Sequence, residues 1–464
     1  MPKKVISQAM TRHSTLPVNL AIDPRKTGHR ILPSFMGLSY EQAELLNPTF
    51  FSLQNKQLMG FISRLGKHGV LRIGGNSSDF LPWVEKTQSQ GISAHSNEDR
   101  KSGISQISIQ NLGDFLKHTG WKLIYGLNLG HGTSQQAADE AAYVMEAIGR
   151  ERLLAFQIGN EPDEYSKNGM RKSTYTLDNY IDEWKSHFHA IRQRRPDSPF
   201  AGPDTAYNTQ WVVQFAEKFQ SDLEFVSSHY YAEGPPSNPG MNIARLLRGT
   251  STGLSEEVAA IAAVKTKTGL GFRLTEANSC YGGGKWGVSD TFASALWAVD
   301  LMYEQATIGG VGINFHEVAY KAYSSLVGTL DAGFLARPAY YGLLFFSVAG
   351  PGQLVQIKRS GSQVIPLLTT YALRGIDGRI RIALINKDTE QNAQVSIAGV
   401  EAAMGRVLRL EAPRVDDTTD VTFGGSPVGP CGEWSPQIEE WIRPNNSQFQ
   451  INVAKATAAL IEFS

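Results

Sequence analysis

The sequence predicts an α/β protein, a (β/α)8 TIM barrel with an additional antiparallel β-sandwich domain, and three features predict it. Short, almost wholly apolar runs recur through the first two thirds of the chain. The segments between them carry apolar residues at helical spacing, and from about residue 340 the rhythm changes to short alternating strands. Strands that are apolar on both faces, with charge confined to the helices, are what a parallel sheet covered by helices requires.

The apolar runs are FMGLSYE (35–41), VLRIGG (70–75), KLIYGLNLG (122–130) and LLAFQIGNEP (153–162), then FAGPDT (200–205), FVSSHYY (225–231), FRLTEANS (272–279) and VGINFHE (311–317). Among them lie NKQLMGFISRLGKHG, TSQQAADEAAYVMEAIG and LDNYIDEWKSHFHAIRQRR, whose apolar residues return every three to four positions. Eight such units within roughly 300 residues fit a closed barrel better than an open doubly wound sheet. The barrel is assigned to residues 31–337. No G-x-G-x-x-G or G-x-x-x-x-G-K-[ST] follows a strand, which removes the usual nucleotide-binding fold. RIRIALINK (379–387), AQVSIAGV (393–400), RVLRLEA (406–412) and TAALIEFS (457–464) give the sandwich, assigned to 338–464. VNLAID (18–23), within 17–30, reads as a strand that completes it.

Composition narrows the function classes. Lysine plus arginine equals aspartate plus glutamate at 44 each, so a dedicated nucleic-acid binder is not expected. With 41% hydrophobic and 19% charged residues the chain reads as an ordinary globular protein, and a monomer is expected. No run approaches the roughly 20 apolar residues of a membrane span, so no membrane association is expected. Cys280 and Cys431 are too few for a disulfide framework or a cysteine zinc site, and free thiols are expected. MPKKVISQAMTRHSTLP shows no intact signal peptide; the expected compartment is secreted or periplasmic if a leader was trimmed and cytoplasmic otherwise.

In a barrel of this kind the chemistry gathers at the carboxyl ends of the strands. Those ends carry Glu41, Asn76, Asn128 with His131, Asn160-Glu161, Asp204, His229-Tyr230-Tyr231, Glu276 and His316-Glu317. Glu161 ends the fourth run and Glu276 the seventh. Two carboxylates on facing strand ends suit glycoside hydrolysis, one protonating the departing oxygen and the other attacking the anomeric carbon. Asn160 is placed to bond the sugar 2-hydroxyl, and Tyr230, Tyr231, Tyr281, Trp83 and Trp286 offer aromatic faces to a sugar ring. Two other classes remain open on the residues alone. One is a barrel metallohydrolase using His131, His229, His316 and Asp204, although no H-x-H or H-E-x-x-H spacing supports it. The other is a non-catalytic carbohydrate-binding protein, which needs the aromatics without both glutamates.

FRLTEANSCYGGGKWGVSDTFASALWAVD (272–300), VLRIGGNSSDF (70–80) and IGNEPDEY (158–165) together resemble glycoside hydrolase family 79, the heparanase-like β-glucuronidases. The resemblance implies a retaining β-D-glucuronidase that acts on terminal glucuronic acid of glycans, with an endo-acting heparanase as the alternative. It implies Glu161 as acid/base, Glu276 as nucleophile, Asn160 and Asn76 as sugar contacts, and Glu41 near an acidic substrate contact. Tyr281, Gly282 and Gly283, then Ala322 and Tyr323, match the loops that recognise the glucuronate carboxylate. A glucuronic-acid-containing oligosaccharide or glycosaminoglycan is the expected partner, with no metal and no cofactor. The stretch LPWVEKTQSQGISAHSNEDRKSGISQ (81–106) is short, with Arg100 and Lys101 its only basic cluster. The chain is therefore expected to act without excision of a linker, and this loop to close an exo-type pocket.

Overall fold

The computed structural model describes residues 15–84, 103–249, 252–360 and 367–464. Eight parallel strands close into a barrel: Met36–Glu41, Val70–Gly74, Lys122–Leu127, Leu153–Ile158, Phe200–Thr205, Leu223–Glu233, Gly271–Cys280 and Gly312–Glu317. Each pairs with the next in parallel register, and the eighth closes on the first through Ile313 opposite Met36. The first and second strands are buried almost end to end, which is why their sequences show no alternation. The three helical patterns form Lys56–Arg64, Ser134–Ile148 and Leu177–Arg194. Thr133 and Gln136 start the second of these with a capping box, satisfying amides the first turn leaves without partners.

The barrel interior is layered. Val70, Ile124, Ala155, Ala201 and Phe225, from the second to the sixth strands, form an apolar cluster. Two residues further along the strands the same face carries Arg72, Gln157 and Ser227, all buried and polar. Two register slips re-aim side chains at this level. Leu274 pairs with Ser228 but Glu276 with His229, and Pro203 pairs with Ser227 but Thr205 with Ser228. The extra residues are Thr275 and Asp204, and Asp204 has a left-handed φ of 64°.

The C-terminal strands form one hydrogen-bonded sheet of ten strands that folds over its own core. Val18, Ile382, Leu384, Val395, Val407, Ile451 and Ile461 share that core. The alternates of three of these strands, Ala383, Ile385, Leu408 and Leu460, pack into the barrel cluster, so a period of two divides Ile380–Asn386, Gly405–Glu411 and Thr457–Phe463 between the two cores. Strand Thr15–Ile31 lies inside this sheet, antiparallel to Gly352–Ser360 and parallel to Asn392–Ala398. Asp300, on the barrel helix Phe292–Thr307, accepts hydrogen bonds from Lys387, Thr369 and Tyr371 of the sheet. Cys280 and Cys431 are free thiols. Among the described residues no helix is long and apolar enough to cross a membrane.

Candidate active site

The fourth strand ends at Ile158, and the chain turns through Gly159, with φ 84°, to Asn160 and Glu161. A Cβ at Gly159 would stand 2.7 Å from the Tyr165 hydroxyl, so only glycine fits this turn. Glu161 itself is left-handed, φ 51° and ψ 52°, a conformation a glutamate keeps only where its surroundings impose it. Its amide donates to the Asp204 carbonyl at 3.0 Å. The result is a carboxylate whose side chain is 21% exposed, facing Glu276 at 9%.

One oxygen of Glu161, one of Glu276 and one nitrogen of His229 lie within 4.8 Å of one another. A carboxylate pair this close matches the spacing of roughly 5 Å at which the second carboxylate attacks directly, rather than the wider gap that admits a water. Glu276 receives Arg72 Nη1 at 2.6 Å and the Tyr231 hydroxyl at 2.6 Å. His316 Nδ1 stands 3.6 Å from the oxygen that receives Arg72. Burial alone would raise the Glu276 carboxyl, but His316, His229, Arg72 and Tyr231 together pull it down to about 2. Glu161 goes the other way: burial dominates, the Glu276 and Asp163 charges add to it, and His229 only partly opposes them. The pKa values of two neighbouring carboxyls are thus driven apart.

His229 bridges the acids, with Nδ1 at 2.8 Å from Glu161 and Nε2 at 3.3 Å from Asp204. Burial would lower it, yet Asp204 and Glu276 raise it to about 10, so it is an imidazolium. Asp204 is held ionised, its burial outweighed by Arg72 and His229. Arg72 ties the whole set together, reaching Ser39, Gln157, Glu276, Asn160 and Asp204 from one buried guanidinium.

Several residues singled out in the sequence meet here. Asn160 Nδ2 donates to Asn76 Oδ1 at 3.1 Å. Glu41 accepts from the Asn76 and Ser77 amides and faces His316 at 3.7 Å. A Cβ at Gly75 would strike the Glu41 carboxyl at 2.6 Å, which explains a glycine in that turn. Tyr323, buried, has its ring 6.2 Å from Tyr231 and 6.0 Å from His316. Its amide donates to the Gly283 carbonyl at 3.4 Å, which joins the loops after the seventh and eighth strands. Ala322 is buried beside it, Gly282 and Gly283 have left-handed φ of 77° and 103°, and Tyr281 stands exposed with its ring edge-on to Tyr231.

Others are placed elsewhere. Tyr230, expected to contact sugar, lies in the apolar core, because alternation along the strand turns only His229 and Tyr231 toward the carboxylates. Trp83 packs on Tyr143 with ring centroids 5.3 Å apart, away from the pair. Trp286 is exposed under the Arg337 guanidinium. His131 bonds the Asp79 carbonyl and Asn128 braces the turn around it, so neither joins His229. The histidine set is therefore not assembled; among the described residues the group whose ligand atoms are close enough to share a metal ion is Glu161, His229 and Glu276. Of the loop 81–106, residues 85–102, with Arg100 and Lys101, lie outside the described residues.

Sequence reasoning did not anticipate Arg72, Gln157, Thr275 or Asp79, nor the roles of His229, His316 and Asp204 as charge partners. The available signal was a lone arginine inside the apolar run VLRIGG and a lone glutamine inside LLAFQIG. A polar side chain that a buried strand tolerates must have a partner inside the barrel.

Known proteins resemble this chain in sequence and in fold. The family described as glycosyl hydrolase family 79, N-terminal domain, matches residues 34–302. A β-glucuronidase of Aspergillus niger is 26% identical over 77% of this chain and 72% of its own length. A β-glucuronidase of Neurospora crassa is 24% identical over 80% and 74%, and a heparanase of Gallus gallus 21% identical over 71% and 74%. Among solved structures, a 4-O-α-L-rhamnosyl-β-D-glucuronidase from Fusarium oxysporum 12S shares the fold at TM-score 0.76, with 17% identity, over 96% of this chain and 100% of that one. With the catalytic barrel matched over more than half of the sequence, the chain belongs to glycosyl hydrolase family 79.

Proposed function

We propose that the protein is a retaining β-D-glucuronidase that removes terminal glucuronate, with Glu161 as acid/base and Glu276 as nucleophile. The observation that carries the proposal is the pair itself: carboxylate oxygens within 4.8 Å, one carboxyl raised and the other lowered to about 2. The ionised Glu276 attacks the anomeric carbon while Glu161 gives its proton to the departing oxygen. A glucuronyl ester on Glu276 forms, Glu161 then takes a proton from water, and the water displaces Glu276 with the configuration retained. Asn160, fixed by Arg72 and Asn76, offers its amide toward the 2-hydroxyl.

The choice of sugar is supported by the curated β-glucuronidase relatives and by the Tyr323 side of the site. Burial and the Glu276 and Glu41 charges hold the Tyr323 phenol protonated, so it donates to an anionic carboxylate. Tyr281, Gly282, Gly283 and Ala322 complete that wall in our reading. The test is to incubate the protein with p-nitrophenyl β-glucuronide and with a defined heparan sulfate oligosaccharide, then weigh the products. Glucuronic acid released residue by residue supports the proposal. Internal fragments would make the enzyme endo-acting, and cleavage of neither substrate would refute the choice of sugar.

A further inference from the structure

The turn after the second strand, GGNSSDF, carries a group that the mechanism above leaves unused. Asp79 ends the short helix Asn76–Asp79 and is 1% exposed. Its carboxylate accepts four hydrogen bonds. Oδ1 takes the amides of Leu129 at 3.3 Å and Gly130 at 3.1 Å, beyond the third strand. Oδ2 takes the amide of Asn160 at 3.1 Å and the hydroxyl of Tyr165 at 2.7 Å. One side chain therefore joins the exits of three barrel strands.

The bond to Asn160 matters most. Asn160 immediately precedes Glu161, whose left-handed backbone needs external support. The Asn160 side chain is held by Arg72 and Asn76, and the Glu161 amide is held by the Asp204 carbonyl. Beside these, and beside the His229 contact to the Glu161 side chain, the Asn160 main-chain amide is held by Asp79. All four donors point at it, so the site demands an acceptor at both oxygens, which only a carboxylate provides.

We infer that Asp79 is a positioning residue for the acid/base: it fixes the main chain at Asn160 so that Glu161 is aimed at the departing oxygen. The inference rests on the reading of Glu161 as acid/base. An asparagine at 79 must turn its NH2 group toward at least one pair of donors, which loosens the strand exit without emptying the space.

The test compares Asp79→Asn, Tyr165→Phe and Glu161→Ala with the unaltered protein on two substrates, an alkyl β-glucuronide and 2,4-dinitrophenyl β-glucuronide. The first needs its leaving group protonated and the second does not. Asp79→Asn is expected to lower kcat on the alkyl glucuronide about 10-fold or more, with KM changed little. On the dinitrophenyl substrate the slow step becomes hydrolysis of the ester, which also uses Glu161. Added azide should then restore turnover by attacking the anomeric carbon, displacing Glu276 as carboxylate and releasing β-glucuronosyl azide. Tyr165→Phe, which removes one donor and keeps the ring, should show the same pattern at smaller size and serves where Asp79→Asn does not fold. Equal losses on both substrates without azide rescue would make Asp79 a structural brace and overturn the inference, as would unchanged kinetics. Glu161→Ala separates the two readings. If it shows the leaving-group dependence and azide rescue while the Asp79 and Tyr165 variants do not, only the positioning role fails. If it shows neither, the assignment of Glu161 fails first.

Discussion

Arg72 and Glu276 are 204 residues apart in the chain and 2.6 Å apart in the barrel. The arginine comes from the second strand and the glutamate from the seventh, and both are buried. Such a pair stabilises only if every remaining donor is satisfied, because desolvating two charges costs several kcal/mol each. Here the other N–H groups of the guanidinium reach Asp204, Asn160, Gln157 and Ser39, so the fork geometry of arginine is used in full.

Replacing Arg72 should therefore damage stability and catalysis together. Arg72→Ala leaves buried Asp204 without its main counter-charge and buried Glu276 with only His316 and His229, and is expected to cost about 3–5 kcal/mol of unfolding free energy. Arg72→Lys keeps the charge but cannot span five acceptors, so it should recover only part of the loss. Urea denaturation followed by circular dichroism measures both. A lysine variant as stable as the native protein would show that charge alone suffices.

Glu276→Gln should abolish turnover, by at least about 10⁴-fold, while the fold persists, since the amide keeps the shape of the carboxylate and the Tyr231 bond. Glu161→Ala should lose about 10²–10⁴-fold on poor leaving groups and far less in the first step with activated aryl glucuronides. Steady-state rates with a series of aryl glucuronides of rising acidity check this. A flat response in Glu161→Ala would remove the acid role.

The pattern of what was legible follows from the physics. Glu161 stood out because a barrel places strand ends at turns, where a carboxylate after an apolar run is visible by contrast. Glu276 reads in the sequence as a strand end too, but its strand runs on to Cys280, and it stood out as a lone carboxylate inside a buried run. The barrel itself was legible because continuous burial leaves continuous apolar runs. Which of Tyr230 and Tyr231 faces the carboxylates was not, since it depends on the register with the seventh strand, and that register slips between Leu274 and Glu276. Nor was the parallel pairing of Leu16–Ala21 with Ala393–Ala398, a contact between chain segments that share no local signal. Arg72 was in plain sight, but its partners come from strands one, four, five and seven, and only the closed barrel brings them together.

The pH profile should carry the signature of the divergent carboxyls. In the proposed mechanism activity needs Glu276 ionised and Glu161 protonated. kcat/KM must therefore rise as pH passes about 2, where Glu276 loses its proton, and fall once pH exceeds the raised value of Glu161. His229, an imidazolium near both, lowers each of them. His229→Gln removes that charge, so both limbs should move to higher pH. Profiles that superimpose would mean that His229 is not charged in the working enzyme.

Tyr323 offers the sharpest test of the sugar. Its phenol stays protonated and lies between the catalytic pair and the Gly283 loop, where a glucuronate carboxylate is proposed to sit. A hydrogen bond to a charged group contributes about 1.5–3 kcal/mol, which is roughly 10- to 100-fold in kcat/KM. Tyr323→Phe keeps the ring beside Tyr231 and His316 and deletes only the donor. Discrimination of p-nitrophenyl β-glucuronide over the matching glucoside should fall by that factor, through loss on the glucuronide and not gain on the glucoside. A glucoside offers a neutral 6-hydroxyl in place of the carboxylate, so it forms no charge-assisted bond there and has less to lose. Unchanged selectivity would take Tyr323 out of the carboxylate site and move the search to the exposed Tyr281 across the same loop.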